Sequence, residues 1–240
     1  MLRKLVIDIG NTRIKTGLFV GEELCMVVSF QGMKECIDHC ATLEFSHTIV
    51  SSVKWDKHEL ESIIPFPFLF FDHGIRLPIH NKYNTPHTLG LDRLAAVMGA
   101  RAWGNHGPAL AIDLGTCITY DVINAADEYL GGAISPGVSM RFEAMHRQTA
   151  RLPLATLTTF PPPFIGKDTV SCLQSGVFFG IREELKGMIK SYAHIYPDLK
   201  VFICGGDAEY FESLTKDHIF VIPNLVLYGL ERILTYNVDK

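Results

Sequence analysis

The chain carries nearly the same phrase twice. Residues 5–12 read Leu-Val-Ile-Asp-Ile-Gly-Asn-Thr, and residues 110–116 read Leu-Ala-Ile-Asp-Leu-Gly-Thr. Each is a short apolar run that ends in Asp-x-Gly with a hydroxyl residue close behind, and Asp8 and Asp113 stand a little over a hundred positions apart. That spacing is too long for a solenoid unit and suits a duplicated domain. Both copies put a carboxylate at the end of a buried strand, a glycine beside it and a threonine in the turn. Two such turns bring two backbone loops and two acids to one phosphate chain.

Bulk properties narrow the partners. A chain of 240 residues has ample length for one large domain or two small ones. Lys and Arg number 22 against 26 for Asp and Glu, a net charge of −4, and no local basic cluster offsets it. Nucleic acid is therefore excluded as a partner. No apolar run reaches the ~20 residues of a membrane helix. The start, Met-Leu-Arg-Lys, leads straight into the strand that carries Asp8, without a signal peptide's apolar core or cleavage site. None of the six cysteines forms a Cys-x-x-Cys pair, so neither a disulfide nor a zinc framework is expected. Cys36 and Cys40, spaced by four around His39, read as small residues on a helix's inner face rather than as metal ligands. The expectation is a reduced, cytoplasmic protein with neither membrane nor nucleic-acid contacts.

Periodicity lays out two similar halves. Residues 5–19 read as two strands about a tight turn, followed by a strand over 24–30, a helix over 33–43 and strands over 48–53 and 66–71. A polar connector spans 72–89, a helix runs from Asp92 to about Trp103, and Gly104-Asn105-His106-Gly107-Pro108 breaks the chain. The second half begins with strands over 109–114, 118–123 and 129–134, then a helix over 138–150 and a loop at the three prolines 161–163. A long helix over 169–194, a buried strand over 200–204, and helices over 208–214 and 225–235 complete it. Strand, hairpin, strand and helix, twice over, predict an α/β protein of two like domains, 1–106 and 107–240.

The motifs point to phosphate chemistry. Gly10 lets backbone approach an anion, and amides of the Asp8-Ile9-Gly10-Asn11-Thr12 turn can cradle phosphate oxygens. Thr12 can donate its hydroxyl and Lys15 can reach the outer phosphates. Asp8 would repel phosphate directly and suits Mg²⁺, held through water. A plain hairpin with an Asp-stabilised turn would explain one copy, but not two in register. Asp113-Leu114-Gly115-Thr116 repeats the arrangement with a shorter turn, Asp113 taking a cation. Gly90-Leu91-Asp92-Arg93 opens a helix, where alone it reads as a cap and a surface pair. Gly205-Gly206 after a buried strand either lets a flat base or ribose slide over bare backbone or makes a tight connection. No Gly-Lys-Ser/Thr and no Gly-x-Gly-x-x-Gly occurs, which excludes the P-loop and Rossmann classes.

Together these residues resemble the acetate and sugar kinase/Hsp70/actin superfamily and, within it, the type III pantothenate kinases. The resemblance runs nearly end to end. It comprises Asp-Ile-Gly-Asn-Thr at 8–12, Tyr83, Gly-Leu-Asp-Arg at 90–93 with Gly99-Ala100, and Asp-Leu-Gly-Thr at 113–116. It continues with Gly-Gly-Ala-Ile-Ser-Pro-Gly at 131–137, Thr-Ala-Arg-Leu-Pro at 149–153, and Gly-Lys-Asp-Thr at 166–169 leading to Gly176.

The resemblance implies duplicated actin-like ATPase (ribonuclease H-like) domains with a nucleotide cleft between them. It implies phosphorylation of pantothenate by ATP with Mg²⁺, the first step of coenzyme A biosynthesis. Asp92 would be the general base on pantothenate's primary hydroxyl. Asp8, Ile9, Gly10, Asn11, Thr12, Arg13, Ile14 and Lys15 would form the first phosphate loop, with Asp8 on Mg²⁺ through water, and Thr116 would meet ATP from the second. Asp113 would hold a monovalent cation, K⁺ or NH₄⁺. Tyr83, Gly90, Leu91, Asp92, Arg93 and Thr169 would shape the pantothenate site, Arg93 on the carboxylate, in a homodimer. The competing expectations are a non-catalytic nucleotide-binding regulator of the same fold and a kinase of another small hydroxyl substrate; Gly-Leu-Asp-Arg at 90–93 favours pantothenate.

Overall fold

The computed structural model describes residues 2–104, 106–214 and 218–238. Its contacts divide the chain into two units. One holds Met1–Asn105, Asp127–Tyr129 and Asn224–Lys240, and the other holds His106–Ala126 and Leu130–Pro223.

In the first unit, β1 (Arg3–Ile9), β2 (Ile14–Val20) and β3 (Glu23–Phe30) form an antiparallel meander. Helix α1 (Met33–Cys40) leads to β4 (His47–Ser52), and α2 (Lys57–Ile63) leads to the two-residue β5 (Leu69–Phe70). β4 lies parallel to β1 and β5 parallel to β4, so the sheet order is β3-β2-β1-β4-β5. Strand alternation explains the layers on either side. Leu5, Ile7 and Ile9 point to one face, where they pack with Cys36, Cys40, Leu60 and Ile64. Lys4, Val6 and Asp8 point to the other. After β6 (His80–Asn81), which pairs in parallel with Glu128 and Tyr129, the chain enters α3 (Leu91–Gly104).

The second unit repeats the strand order. β7 (Ala109–Leu114) pairs antiparallel with β8 (Cys117–Ile123), followed by β9 (Glu128–Pro136), α4 (Val138–Gln148) and α5 (Thr169–Ile195). β10 (Lys200–Cys204) lies parallel to β7 and β11 (Ile219–Val221) parallel to β10. The resulting order β9-β8-β7-β10-β11 mirrors that of the first unit strand for strand. Its core joins Leu110, Ile112 and Leu114 of β7 to Phe142 of α4 and to Leu173, Val177, Phe178 and Ile181 of α5.

Three expectations need correction. The stretch 66–71 keeps only two paired residues, because Pro65 and Pro67 cannot donate to a ladder. The stretch Ala208–Leu214 forms 3₁₀ turns broken at Phe211, not an α-helix. The last helix, α6 (Leu225–Val238), groups with the first unit, whereas the sequence division kept 107–240 together. α6 packs on α3, β1, β2 and β4. Lys4, 3% exposed on that face of β1, makes an ion pair with the buried Glu231 of α6 and donates to Thr235 Oγ1 at 2.6 Å. The α3–α6 approach is very close. A Cβ at Gly229 would lie 1.8 Å from the Ala95 carbonyl oxygen, and one at Gly99 would lie 2.1 Å from that of Leu225.

Since even a methyl group must push these two backbones apart, Gly229→Ala should destabilise the protein by about 3 kcal/mol. Chemical denaturation of the purified variant checks this, and an unchanged midpoint would contradict the close packing.

Candidate active site

The first site residues are fixed by the register of β1. Asp8 stands opposite Lys15 on β2 and beside Ser51 on β4. Asp8 shares its face of β1 with Lys4, the face that α6 covers and whose neighbouring helix is α3. That helix opens at Leu91, so Asp92 falls in its first turn. Asp92 Oδ1 accepts the Arg93 backbone amide at 2.9 Å, and its carboxylate acts on Asp8 as a like charge. Burial and then Asp92 push the Asp8 carboxyl from an ordinary 3.8 up to about 6, against the opposing pull of Lys15 and a hydrogen bond from Ser51. Two acids held together, only partly neutralised by the protein, make a place for a cation.

The loop after β1 is a closed turn. The Gly10 amide donates to the Arg13 carbonyl at 3.0 Å, so it is engaged inside the turn rather than offered to an anion. Asn11, Thr12 and Arg13 are exposed, whereas Ile9 and Ile14 are buried and anchor the turn to the core.

The helix start gathers the remaining first-unit residues. Arg93 is 6% exposed, with its guanidinium 5.7 Å from the centre of the Tyr83 ring. Tyr83 packs on the fully buried Tyr129, with ring centres 6.2 Å apart, and donates its amide to Asn81 Oδ1. Gly90 lies so near Asp92 that a Cβ would sit 2.5 Å from Oδ1. Asp8, Lys15 and Asp92 thus come together, as do Tyr83 and Arg93.

The second unit holds its own group. Asp113 ends β7 beside Cys204 of β10. Gly205, at φ +96°, passes so close that a Cβ would lie 2.4 Å from Asp113 Oδ1. Only glycine meets both demands. The Gly115 amide is again internal, donating to the Cys117 carbonyl, while Thr116 is exposed. Thr169 is the exposed first residue of α5, behind Asp168, whose side chain caps the helix by accepting from the Ser171 amide.

Two contributors were missed from sequence. Ser51 is 2% exposed and reaches Asp8 only through the β1–β4 register. Tyr129 lies far from Tyr83 in sequence and meets it through the β6–β9 pairing. No local motif announces either.

With this geometry in view, comparison with known proteins becomes decisive. The type III pantothenate kinase family profile matches residues 4–191. The type III pantothenate kinase of Cytophaga hutchinsonii is 41% identical over 236 residues, covering 98% of this chain and 99% of its own. The chain belongs to the type III pantothenate kinase family. Another member, from Bacteroides fragilis, is 41% identical over 239 residues, covering 97% of this chain and 98% of its own. Solved structures support the duplicated actin-like fold. A conserved putative Baf family transcriptional activator from Campylobacter jejuni superposes with a TM-score of 0.63 at 22% identity, covering 98% of this chain and 100% of its own. A putative N-acetylmannosamine kinase from Listeria monocytogenes does so with a TM-score of 0.53 at 15% identity, covering 98% of this chain and 100% of its own.

The raised Asp8 value has a consequence for the free protein. The folded state keeps its proton up to about 6 while the unfolded chain releases it near 3.8, so stability falls as pH rises through that window. At neutral pH the ionised carboxylate therefore costs on the order of 2 kcal/mol. Asp8→Asn should raise the thermal midpoint of the ligand-free protein at pH 7.5 and leave it nearly unchanged at pH 4. A variant less stable than wild type at pH 7.5 would show that Asp8 is stabilising instead.

Proposed function

We propose that the protein transfers the γ-phosphoryl group of ATP to the primary hydroxyl of pantothenate, giving 4′-phosphopantothenate, the first step of coenzyme A biosynthesis. Family membership over nearly the whole chain supports the reaction. The paired carboxylates Asp8 and Asp92 are the observation that carries the site.

Phosphoryl transfer has little covalent chemistry for a protein to perform, so positioning and charge neutralisation supply most of the rate. Asp92, exposed at the start of α3, accepts the proton of the pantothenate hydroxyl as it attacks. Arg93, its guanidinium set against Tyr83, holds the pantothenate carboxylate, with Gly90 and Leu91 beside it, and Thr169 is a further pantothenate contact. Lys15 and the outward groups of 10–13 take the outer phosphates, and Thr116 contacts ATP from the second unit. The half-neutralised Asp8 fits hydrated Mg²⁺, which when bound supplies charge neutralisation on the phosphates. Asp113, against whose Oδ1 the bare backbone of Gly205 packs, would hold K⁺ or NH₄⁺ and so supply charge neutralisation. The enzyme acts as a cytoplasmic homodimer, as its family resemblance implies. No helix among the described residues is long and apolar enough to cross a membrane.

The test is formation of 4′-phosphopantothenate from pantothenate and Mg-ATP, with and without K⁺ or NH₄⁺. Wild type should show cation-dependent product. Asp92→Asn should lower kcat by about 10²–10⁴-fold with ATP affinity retained. ATP bound by wild type with no transfer to pantothenate under any cation would overturn the kinase reading in favour of a nucleotide-binding regulator.

A further inference from the structure

Behind the second phosphate loop lies a polar cluster that the reaction does not use. Glu184, half-buried on α5, accepts from three side chains on three other elements. Its Oε1 takes the Tyr120 hydroxyl of β8 at 2.9 Å and the Ser135 hydroxyl of β9, and its Oε2 takes the Arg141 guanidinium of α4. Arg141 also donates Nε to the Pro136 carbonyl at 2.9 Å. One residue on, the Gly137 amide donates to the Thr116 carbonyl at 3.1 Å. Gly137 sits so tightly that a Cβ would lie 2.2 Å from the Gly115 carbonyl oxygen and 2.6 Å from that of Thr116. A continuous series of bonds thus runs from Glu184 through Arg141 and Ser135 to the end of β9, and from there to the turn at 115–116.

We propose that Glu184 is a positioning residue for ATP, setting the Gly115–Thr116 turn through Ser135, Arg141 and the Pro136–Gly137 peptide. The proposal rests on the reading that Thr116 meets the nucleotide. A purely structural carboxylate needs no such arrangement. One of its three donors, Ser135, belongs to the strand end that seats the turn, and a second, Arg141, bonds that strand end at the Pro136 carbonyl. Burial pushes the Glu184 carboxyl up, but the bonds from Ser135, Arg141 and Tyr120 outweigh it and hold the group below the usual carboxylate range. Glu184 is thereby kept charged where Arg141 requires a counter-charge. Glutamine at this position offers a single acceptor oxygen to three donors and turns an amide toward a guanidinium, releasing Arg141.

The experiment compares wild type, Glu184→Gln, Arg141→Met, the double variant and Glu183→Gln, an exposed neighbour paired with Arg182 and Lys186. In the ligand-free protein, hydrogen exchange at residues 114–118 and 135–138 should accelerate in Glu184→Gln and Arg141→Met and stay unchanged in Glu183→Gln. In turnover, KM for ATP should rise about tenfold while KM for pantothenate stays constant, and the double variant should be no worse than the single ones. Exchange that is unaltered at 114–118, or spread evenly over the second unit, overturns the positioning role. Failure of wild type to phosphorylate pantothenate would instead remove the kinase reading, which the exchange measurement does not depend on.

Discussion

Two carboxylates that repel one another, Asp8 and Asp92, are held together by the fold, and much of the first unit is arranged to keep them there. Asp8 is placed by the alternation of a strand, and Asp92 by the point at which α3 begins. Neither can drift. The hairpin register and the parallel β4 pin β1, while the close crossing of α3 and α6 pins the helix. Burial of Asp8 and the like charge of the exposed Asp92 together raise the Asp8 carboxyl value. Such a conflict is what functional sites tend to show.

The same face of β1 shows the contrasting solution. Lys4 is withdrawn from water, but its charge is met inside the protein by Glu231 and Thr235. Four residues further along, the charge of Asp8 is only partly met, by Lys15 and Ser51. One strand therefore carries a closed ion pair at one end, which ties α6 to the sheet, and an open one at the other. Structural and functional charges thus share one face of β1, about 13 Å apart along the strand.

Much of this was legible in the residues. The two Asp-x-Gly hairpins stand where the apolar runs and turn residues put them, and the strand at Lys200–Cys204 matches its apolar run. Asp92 was legible as a helix start, but its meeting with Asp8 needed the tertiary packing of α3. Helix α2 was missed although Asp56 and Glu59 form a capping box there, because its charged sequence, Lys-His-Glu-Leu-Glu-Ser-Ile, carries only Leu60 to the core. Ser51 and Glu184 were invisible for another reason. Each acts through a partner on a strand or helix distant in sequence, and register across a sheet is a property of the whole fold.

The docking of α6 in the first unit bears on how the chain is made. The first unit is interrupted by almost all of the second, and a late segment completes it. During synthesis β1 to β5 emerge early with one sheet face covered by α1 and α2 and the other bare, and Lys4 remains without Glu231 until the second unit has been made. The second unit is built from two neighbouring segments, both of which are made before α6. The contacts that complete the first unit therefore span a high sequence separation, which slows their formation. A nascent chain of this design carries an exposed apolar sheet face for most of its time on the ribosome, a burden that the compact folded enzyme conceals.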